Sequence, residues 1–206
     1  MLDGEPIYED TPDAVWIVKR VDGSRAGEDA VRRKAYWSVF SGACGHTYGH
    51  NDVYGFFTPA FPGQVLSLQT RPSGPGQRGD WREALQAPGA TQMQHLRRLI
   101  ESGPYFDRMP DPSLVVTPNA TGPDYVAACR APDARYALVY FPSGRPATLR
   151  SPLLHGPRLT AQWYDPRTGA RRELSPVDVA PWKTTEFKPP AADQDWVLVL
   201  EAQKSQ

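Results

Sequence analysis

The segments GEPIYE (residues 4–9) and GHTYGHN (residues 45–51) decide the fold of the first half of this 206-residue chain. Each of them combines glycine with aromatic and polar side chains, as is typical where a short strand opens into a loop. Pro6 has no backbone N–H to give to a sheet, so strand pairing is expected to fade there. Both segments therefore predict the end of a short strand, with reactive side chains just beyond it.

A helix is predicted between these two segments, from about residue 28 to 43. Small apolar residues recur there with helical spacing, and Glu28 and Asp29 suit a helix N-terminus. The order strand, loop, helix, strand is the repeating unit of parallel α/β proteins, barrels included. Because reactive groups in such folds lie at the C-terminal strand ends, Glu5 and residues 46–51 are predicted to share one face of one sheet.

The rest of the first half predicts loops and two further helices. Residues 59–79 are rich in proline and glycine, which indicates a loop. Asp80 is a suitable cap for a short helix over residues 81–85. Pro88 fits the first position of another helix, which is expected to end near Gly103 and Pro104.

From residue 114 onward, runs of period two are separated by turn residues, which is typical of antiparallel strands. Their number and spacing predict a β-sandwich. The change of pattern falls at the proline-rich residues 104–113. Strands are predicted over residues 114–117, 125–130, 136–141, 147–150, 159–164, 171–174, 184–188 and 196–201.

The composition argues against several classes of partner. Lys plus Arg and Asp plus Glu number 23 each, whereas nucleic-acid binding requires a basic excess. No apolar run approaches the roughly 20 residues that cross a bilayer, so no membrane span is expected. Residues 1–4 are too short and too acidic for a signal peptide. Cys44 and Cys129 lie in unlike contexts without paired spacing, and we expect two buried free thiols.

Glu5 is the first candidate for chemistry. A carboxylate at a strand end beside aromatic residues suits a retaining glycosidase, which uses a second carboxylate about 5–5.5 Å away as acid and base. A salt bridge or a helix cap is the alternative for Glu5. Glu9 is predicted to be a supporting hydrogen-bond acceptor.

Aromatic and imidazole side chains near Glu5 suit sugar binding. Rings such as Tyr8, Trp37 and Tyr48 can stack on sugar faces, and imidazoles can bond hydroxyl groups. The spacing of His46 and His50 would indicate a metal site on a helix, but the glycines between them favour a strand and loop, and no third ligand has suitable spacing. No metal and no cofactor are predicted, and a hydrogen-bonding role inside the protein remains open for both histidines.

Two other sets of residues are less informative. Ser38 and Ser41 lack the G-x-S-x-G pattern of a serine nucleophile. Trp163, Tyr164 and Trp196 fall on alternating strand patterns, which favours a core position over a binding surface.

Long stretches of the chain resemble the C-terminal part of apiosidase-like glycoside hydrolases. These enzymes have a TIM-barrel catalytic domain followed by a β-sandwich named "putative collagen-binding domain of a collagenase". The resemblance covers nearly the whole chain and rests on GEPIYE (4–9), RKAYWSVFSGACGHTYGHN (33–51), APGA (87–90), QM (92–93), PD (110–111), WYDPRTG (163–169) and DWVLVL (195–200).

The resemblance implies an α/β plus all-β fold, with the last strands and helices of a (β/α)8 barrel over residues 1–108 and a β-sandwich over residues 112–206. It makes Glu5 the nucleophile at the end of the seventh barrel strand and places Thr47 and Tyr48 in the eighth. The acid/base carboxylate of the family comes from the fourth strand, and a complete barrel takes about 250 residues. The candidate substrate-binding residues are then Tyr8, Glu9, Arg33, Trp37, His46, Tyr48, His50 and Asn51.

The resemblance implies hydrolysis of pectic side chains of the plant cell wall with retention of the anomeric configuration. It also implies that the parent enzymes are secreted or periplasmic. These 206 residues are expected to be inactive alone and to need an upstream barrel segment as partner. The alternative is a β-sandwich that binds a carbohydrate or protein, with a vestigial barrel remnant. A third interpretation is that the sandwich only supports a barrel from another chain.

Overall fold

The computed structural model describes residues 1–4, 6–12, 25–60, 77–103, 105–117, 119–150, 158–178 and 184–202. Glu5 and most of the predicted loop over residues 59–79 lie outside the described residues. The chain divides into two compact units. One, here called the helical unit, comprises Leu2–Ala35 and Gly45–Gln94; the other, the sheet unit, comprises Met1, Tyr36–Cys44 and His95–Gln206.

The helical unit is built on a parallel strand pair. Strand β1 (Leu2–Asp3) pairs with β2 (Gly45–His46), with Leu2 opposite Gly45 and Asp3 opposite His46. Parallel neighbours need a crossover connection, and helix α1 (Glu28–Phe40) lies in this one. The predicted order of strand, helix and strand is therefore present, but Thr47 and Tyr48, expected in the second strand, lie just beyond it.

Helix α1 ends three residues earlier than its apolar pattern predicts. Gly42 adopts a φ of +100°, a conformation that glycine supplies at helix ends. The N–H of Ala43 turns back to bond the carbonyl of Ser38 at 3.0 Å. The glycine therefore stops the helix, and Ala43, although it fits the apolar rhythm, lies beyond it.

Three more helices follow: α2 (Asn51–Tyr54), α3 (Trp81–Ala84) and α4 (Pro88–Glu101). Asp80 caps α3 as predicted, because its carboxylate accepts the N–H of Arg82 at 2.8 Å. Helix α2 was not predicted; the His50 ring caps it by accepting the N–H of Asp52. None of the described helices is long and apolar enough to cross a membrane.

The sheet unit contains nine strands among its described residues. They are β3 (Met109–Pro110), β4 (Ala127–Arg130), β5 (Tyr136–Phe141), β6 (Ala147–Arg150), β7 (Arg158–Tyr164), β8 (Arg171–Glu173), β9 (Val177–Asp178), β10 (Thr184–Phe187) and β11 (Trp196–Ala202). Six of them lie in the order β3-β4-β5-β11-β7-β8, β9 pairs with the first two residues of β7, and β6 pairs with β10. Every one of these pairings is antiparallel.

One predicted strand, over residues 114–117, is wrong. Asp111 caps a 3-10 turn over Pro112–Leu114, and Val115 contributes only an isolated bridge to Leu149. Proline at the start of such a turn presets its φ angle and removes a ladder donor. The other predicted strands are all present, with small shifts at their ends.

The core of the sheet unit follows the period-two pattern. Val139 and Phe141 on β5 pack with Trp163 on β7, whose ring meets Phe141 edge-on at 5.2 Å. On the opposite face of β5, Tyr140 stacks on Tyr36 of α1 at 4.9 Å. Trp163 is 2% exposed and lies in this core, and Trp196 is partly buried against it, which confirms the core interpretation for these two. Tyr164 is also buried, but it lies outside this cluster and its hydroxyl donates to the carbonyl of His95 at 2.8 Å.

The two cysteines differ. Cys129 is buried on β4, and burial raises the pKa of its thiol to about 12. Cys44 is exposed, so the expectation of two buried thiols is wrong for this residue. Cys44 lies in the turn between α1 and β2, where its N–H donates to the carbonyl of Met1 and its side chain is left at the surface.

Candidate active site

Asp3 and His46 face each other at the ends of β1 and β2. Asp3 Oδ2 lies 3.3 Å from His46 Nδ1, and the His46 side chain is 4% exposed. Burial lowers the pKa of His46, although the carboxylate of Asp3 opposes this. A neutral ring that donates its Nδ1 proton to Asp3 presents Nε2 as an acceptor, and Nε2 has no hydrogen-bond partner among the described residues.

Glu9 and Tyr48 form a second pair. The Tyr48 hydroxyl donates to Glu9 Oε2 at 2.6 Å, and the N–H of Gly89 donates to the same oxygen at 3.1 Å. Glu9 is only 6% exposed. Burial raises the pKa of Glu9, and the bond from Tyr48 opposes that rise. Glu9 thus accepts hydrogen bonds from the side chain of Tyr48 and from the backbone of Gly89.

His50 and Asn51 are held by backbone pairing with residue 9. The N–H of Glu9 donates to the carbonyl of Gly49, and the N–H of Asn51 donates to the carbonyl of Glu9, both at 2.9 Å. His50 is 8% and Asn51 1% exposed. Since His50 Nδ1 caps helix α2, only its Nε2 remains for a ligand.

Tyr8 is half-buried and packs on two neighbours. Its ring contacts that of Tyr54 at a centroid distance of 5.6 Å. A Cβ at Gly49 would lie 2.5 Å from Tyr8 Cδ1, so the ring needs a glycine at that position. Tyr8 is therefore fixed between Tyr54 and Gly49.

A cavity of about 420 Å³ lies beside Glu9. Asp10, on its wall, accepts hydrogen bonds from Arg25 at 2.7 Å and from Arg78 at 2.6 Å. Asp52 accepts the N–H of Gly79 at 3.0 Å. Within the described part of the chain, no group of three or more His, Cys, Asp or Glu residues is placed to hold a metal ion.

The remaining predicted residues have other surroundings. Arg33 pairs with Asp29 one helical turn earlier at 2.9 Å. Trp37 belongs to the sheet unit, where its indole N–H donates to the carbonyl of Tyr125 at 2.8 Å. Glu5 lies outside the described residues.

The structure thus brings together five of the predicted residues, Tyr8, Glu9, Tyr48, His50 and Asn51. His46 lies beside Asp3, which the sequence did not single out. Asp3 was missed, although it precedes Glu5 by two residues and an extended chain puts such residues on one face. Gly89 was missed as well, because nothing in a sequence marks a glycine that a buried carboxylate approaches.

Two family profiles match the chain. Residues 1–107 match "Apiosidase-like, catalytic domain", and residues 109–201 match "Putative collagen-binding domain of a collagenase". Among curated protein sequences, none matches this chain.

Solved structures of glycoside hydrolases resemble the whole chain. One described as "Glycoside hydrolase" is 30% identical with a TM-score of 0.83, and covers 100% of this chain and 43% of its own length. A glycoside hydrolase family 5 structure from Bacteroides vulgatus ATCC 8482 is 33% identical with a TM-score of 0.82, and covers 98% of this chain and 41% of its own. This chain thus spans less than half the length of either structure. Because the catalytic-domain profile matches residues 1–107, more than half of the 206 residues, the chain belongs to the apiosidase-like family of glycoside hydrolases.

Proposed function

We propose that these residues are the C-terminal part of a retaining glycoside hydrolase, comprising the last two strands of a catalytic (β/α)8 barrel and an accessory β-sandwich. The parallel pair β1–β2 with helix α1 between its strands supports the first part, because consecutive barrel strands are joined in this way. The shared core of the β6–β10 pair and the larger sheet supports the second. The single observation that carries the function is the match of residues 1–107 to the catalytic domain.

Glu5 is proposed as the nucleophile. In a retaining mechanism a carboxylate oxygen attacks the anomeric carbon while a second carboxylic acid protonates the leaving oxygen. Water, deprotonated by that second residue, then releases the sugar from Glu5. The acid/base carboxylate is assigned to a part of the enzyme beyond these 206 residues, since the related structures are more than twice as long.

His46 is proposed to bind a hydroxyl group of the sugar. Its buried Nε2 is oriented by Asp3 on the other side of the ring, and an acceptor in that position suits a hydroxyl donor. Tyr8 is proposed as a stacking surface, with Tyr48, His50 and Asn51 beside it. Arg33 and Trp37 remain proposals that rest on residue type and on the family resemblance.

The proposed substrate is a plant cell-wall glycan of the pectic class, on the basis of the family's name. The test compares the 206-residue chain with a longer enzyme that contains it and the rest of the barrel. Only the longer enzyme is expected to release sugar from pectic glycans. Measurable turnover by the 206-residue chain would contradict the assignment of the acid/base residue, and no release by the longer enzyme would contradict the function.

A binding role for the second half is the other candidate. The observation that favours it is the name of the domain matched by residues 109–201. Co-sedimentation of the chain with pectic glycan and with collagen fibres tests it. Binding that saturates on either material supports the binding role, and recovery of all the chain in the supernatant with both would exclude it under those conditions.

A further inference from the structure

Glu9 lies where three segments of the helical unit meet. Its backbone continues the parallel pairing of β1 and β2, because an isolated parallel bridge joins Glu9 to His50. Its side chain points away from that pairing toward Tyr48, in the segment after β2, and toward Gly89, in the first turn of α4. One carboxylate thus joins the segment after β2 to the start of α4.

The contact with α4 uses a donor that a helix leaves unpaired. The first N–H groups of a helix have no intrahelical acceptor, and a carboxylate at this end is also favoured by the helix dipole. Gly89 N lies 3.1 Å from Glu9 Oε2 and 3.4 Å from Oε1. The carboxylate therefore anchors the start of α4.

Only glycine fits at position 89. A Cβ there would lie 2.3 Å from Glu9 Oε2, 2.8 Å from Val31 Cγ2 and 3.0 Å from Tyr48 Cε2. Gly89 of α4 is therefore closely surrounded by three segments: the one after β1, which carries Glu9, the one after β2, which carries Tyr48, and α1, which carries Val31. A side chain at this position would push the carboxylate away from the Tyr48 hydroxyl.

The charge of Glu9 is sensitive to its surroundings. The charged groups that act on it are His50 at the cap of α2, which lowers the pKa, and Glu28 in the first turn of α1, which raises it. The bonds from Tyr48 and from Gly89 also favour the carboxylate, but burial is the largest effect and the net pKa is raised.

We propose that Glu9 is a positioning residue of the glycan site, which fixes Tyr48 and thereby the segment that carries His46 and His50. The role of the segment in sugar binding rests on the proposed function, whereas the connection itself does not. Glu9 does not touch substrate in this role. It determines how well the sugar contacts are held in place, and so acts on substrate binding more than on the chemical step.

The first test is kinetic and uses the longer enzyme. Glu9→Ala is expected to raise KM about tenfold and to change kcat less than about threefold. Glu9→Gln keeps an acceptor oxygen for Tyr48 and is expected to restore KM to within about threefold of the wild type. Combining Glu9→Ala with Tyr48→Phe is expected to be no worse than Glu9→Ala alone, because both remove the same connection.

The second test needs no activity and uses the 206-residue chain. A raised pKa means that the folded state binds the Glu9 proton more tightly than the unfolded state. The contribution of Glu9 to the free energy of unfolding should therefore fall as the pH rises from 4.5 through the raised pKa of Glu9. Urea unfolding of both proteins isolates this contribution: the free energy of unfolding of the wild type minus that of Glu9→Gln should fall across this range, because groups of opposite sign such as His46 contribute equally to both proteins.

The two tests separate failure of the proposal from failure of the proposed function. If the free energy of unfolding depended on pH in the same way for the wild type and Glu9→Gln, Glu9 would not be a buried carboxylate with a raised pKa. This conclusion would hold whatever the activity of the enzyme. A lowered kcat with unchanged KM in Glu9→Ala, or strictly additive effects with Tyr48→Phe, would overturn the positioning role. Absence of any glycan hydrolysis by the wild type would instead refute the function. Glu101→Gln, on the exposed side of α4, is the matched control and should alter neither readout.

Discussion

Replacing Glu5 by glutamine is expected to lower kcat about a thousandfold or more in a longer enzyme that contains these residues. Under the proposed mechanism, the change keeps the shape of the side chain but removes the attacking oxygen, so the covalent intermediate cannot form. Losses of this size are usual when a catalytic nucleophile is removed. Substrate binding should survive, because the amide still fills the site. Steady-state kinetics on a pectic substrate give kcat, and calorimetry gives the dissociation constant of the substrate.

Glu173→Gln is the matched control for this experiment. Glu173 is exposed on β8 of the sheet unit, and its substitution should leave kcat within experimental error of the wild type. If Glu5→Gln retained more than about a tenth of the wild-type kcat, Glu5 would not be the nucleophile.

Replacing Trp163 by alanine is expected to lower the free energy of unfolding by about 3–5 kcal/mol, the usual cost of deleting a buried aromatic side chain. Trp163 is 2% exposed and lies in the cluster that joins β5, β7 and β11 to β6 and β10. Such a loss is a large part of the roughly 5–15 kcal/mol that stabilises a typical domain. Urea unfolding followed by circular dichroism measures it.

Phe106→Ala provides the comparison, because Phe106 is 95% exposed. Its removal should cost less than about 0.5 kcal/mol. Equal losses in the two variants would mean that Trp163 does not lie in the main core.

Much of the sheet unit could be predicted because its pattern is local. Strands β5 and β6 were predicted with their observed ends, since period-two runs are bounded there by turn residues. The prediction of a strand over residues 114–117 was wrong. The apolar residues there fit a strand, but Asp111 and Pro112 together form a capped turn, and that turn outweighs the apolar pattern.

The helical unit was predicted in its order but not in its details. Helix α2 was missed because its cap is His50, which is not among the residues that usually cap helices. Asp3 was missed because its importance depends on lying opposite His46 in a parallel pair, and register between distant segments is not visible in one sequence. The same is true of Gly89, whose role depends on how close Glu9 approaches.

Several residues of the candidate site could be predicted, but the contacts between them could not. Residue types and the family resemblance pointed to Glu9, Tyr48 and His50, which the structure brings together. Their bonding could not be inferred from spacing, since Tyr48 and Glu9 are 39 residues apart. The bond changes the proposal for Tyr48, because its hydroxyl proton is already donated to Glu9 and only the ring is proposed to contact the sugar.

The most direct test of the account is to trap the covalent intermediate. A longer enzyme that contains these residues is incubated with a mechanism-based 2-fluoro glycoside, digested, and mapped by mass spectrometry. A retaining mechanism with Glu5 as nucleophile predicts one sugar on the peptide that contains Glu5, and no label in the Glu5→Gln variant. Label on a different carboxylate, or turnover with inversion and no trapped sugar, would contradict the assignment of Glu5.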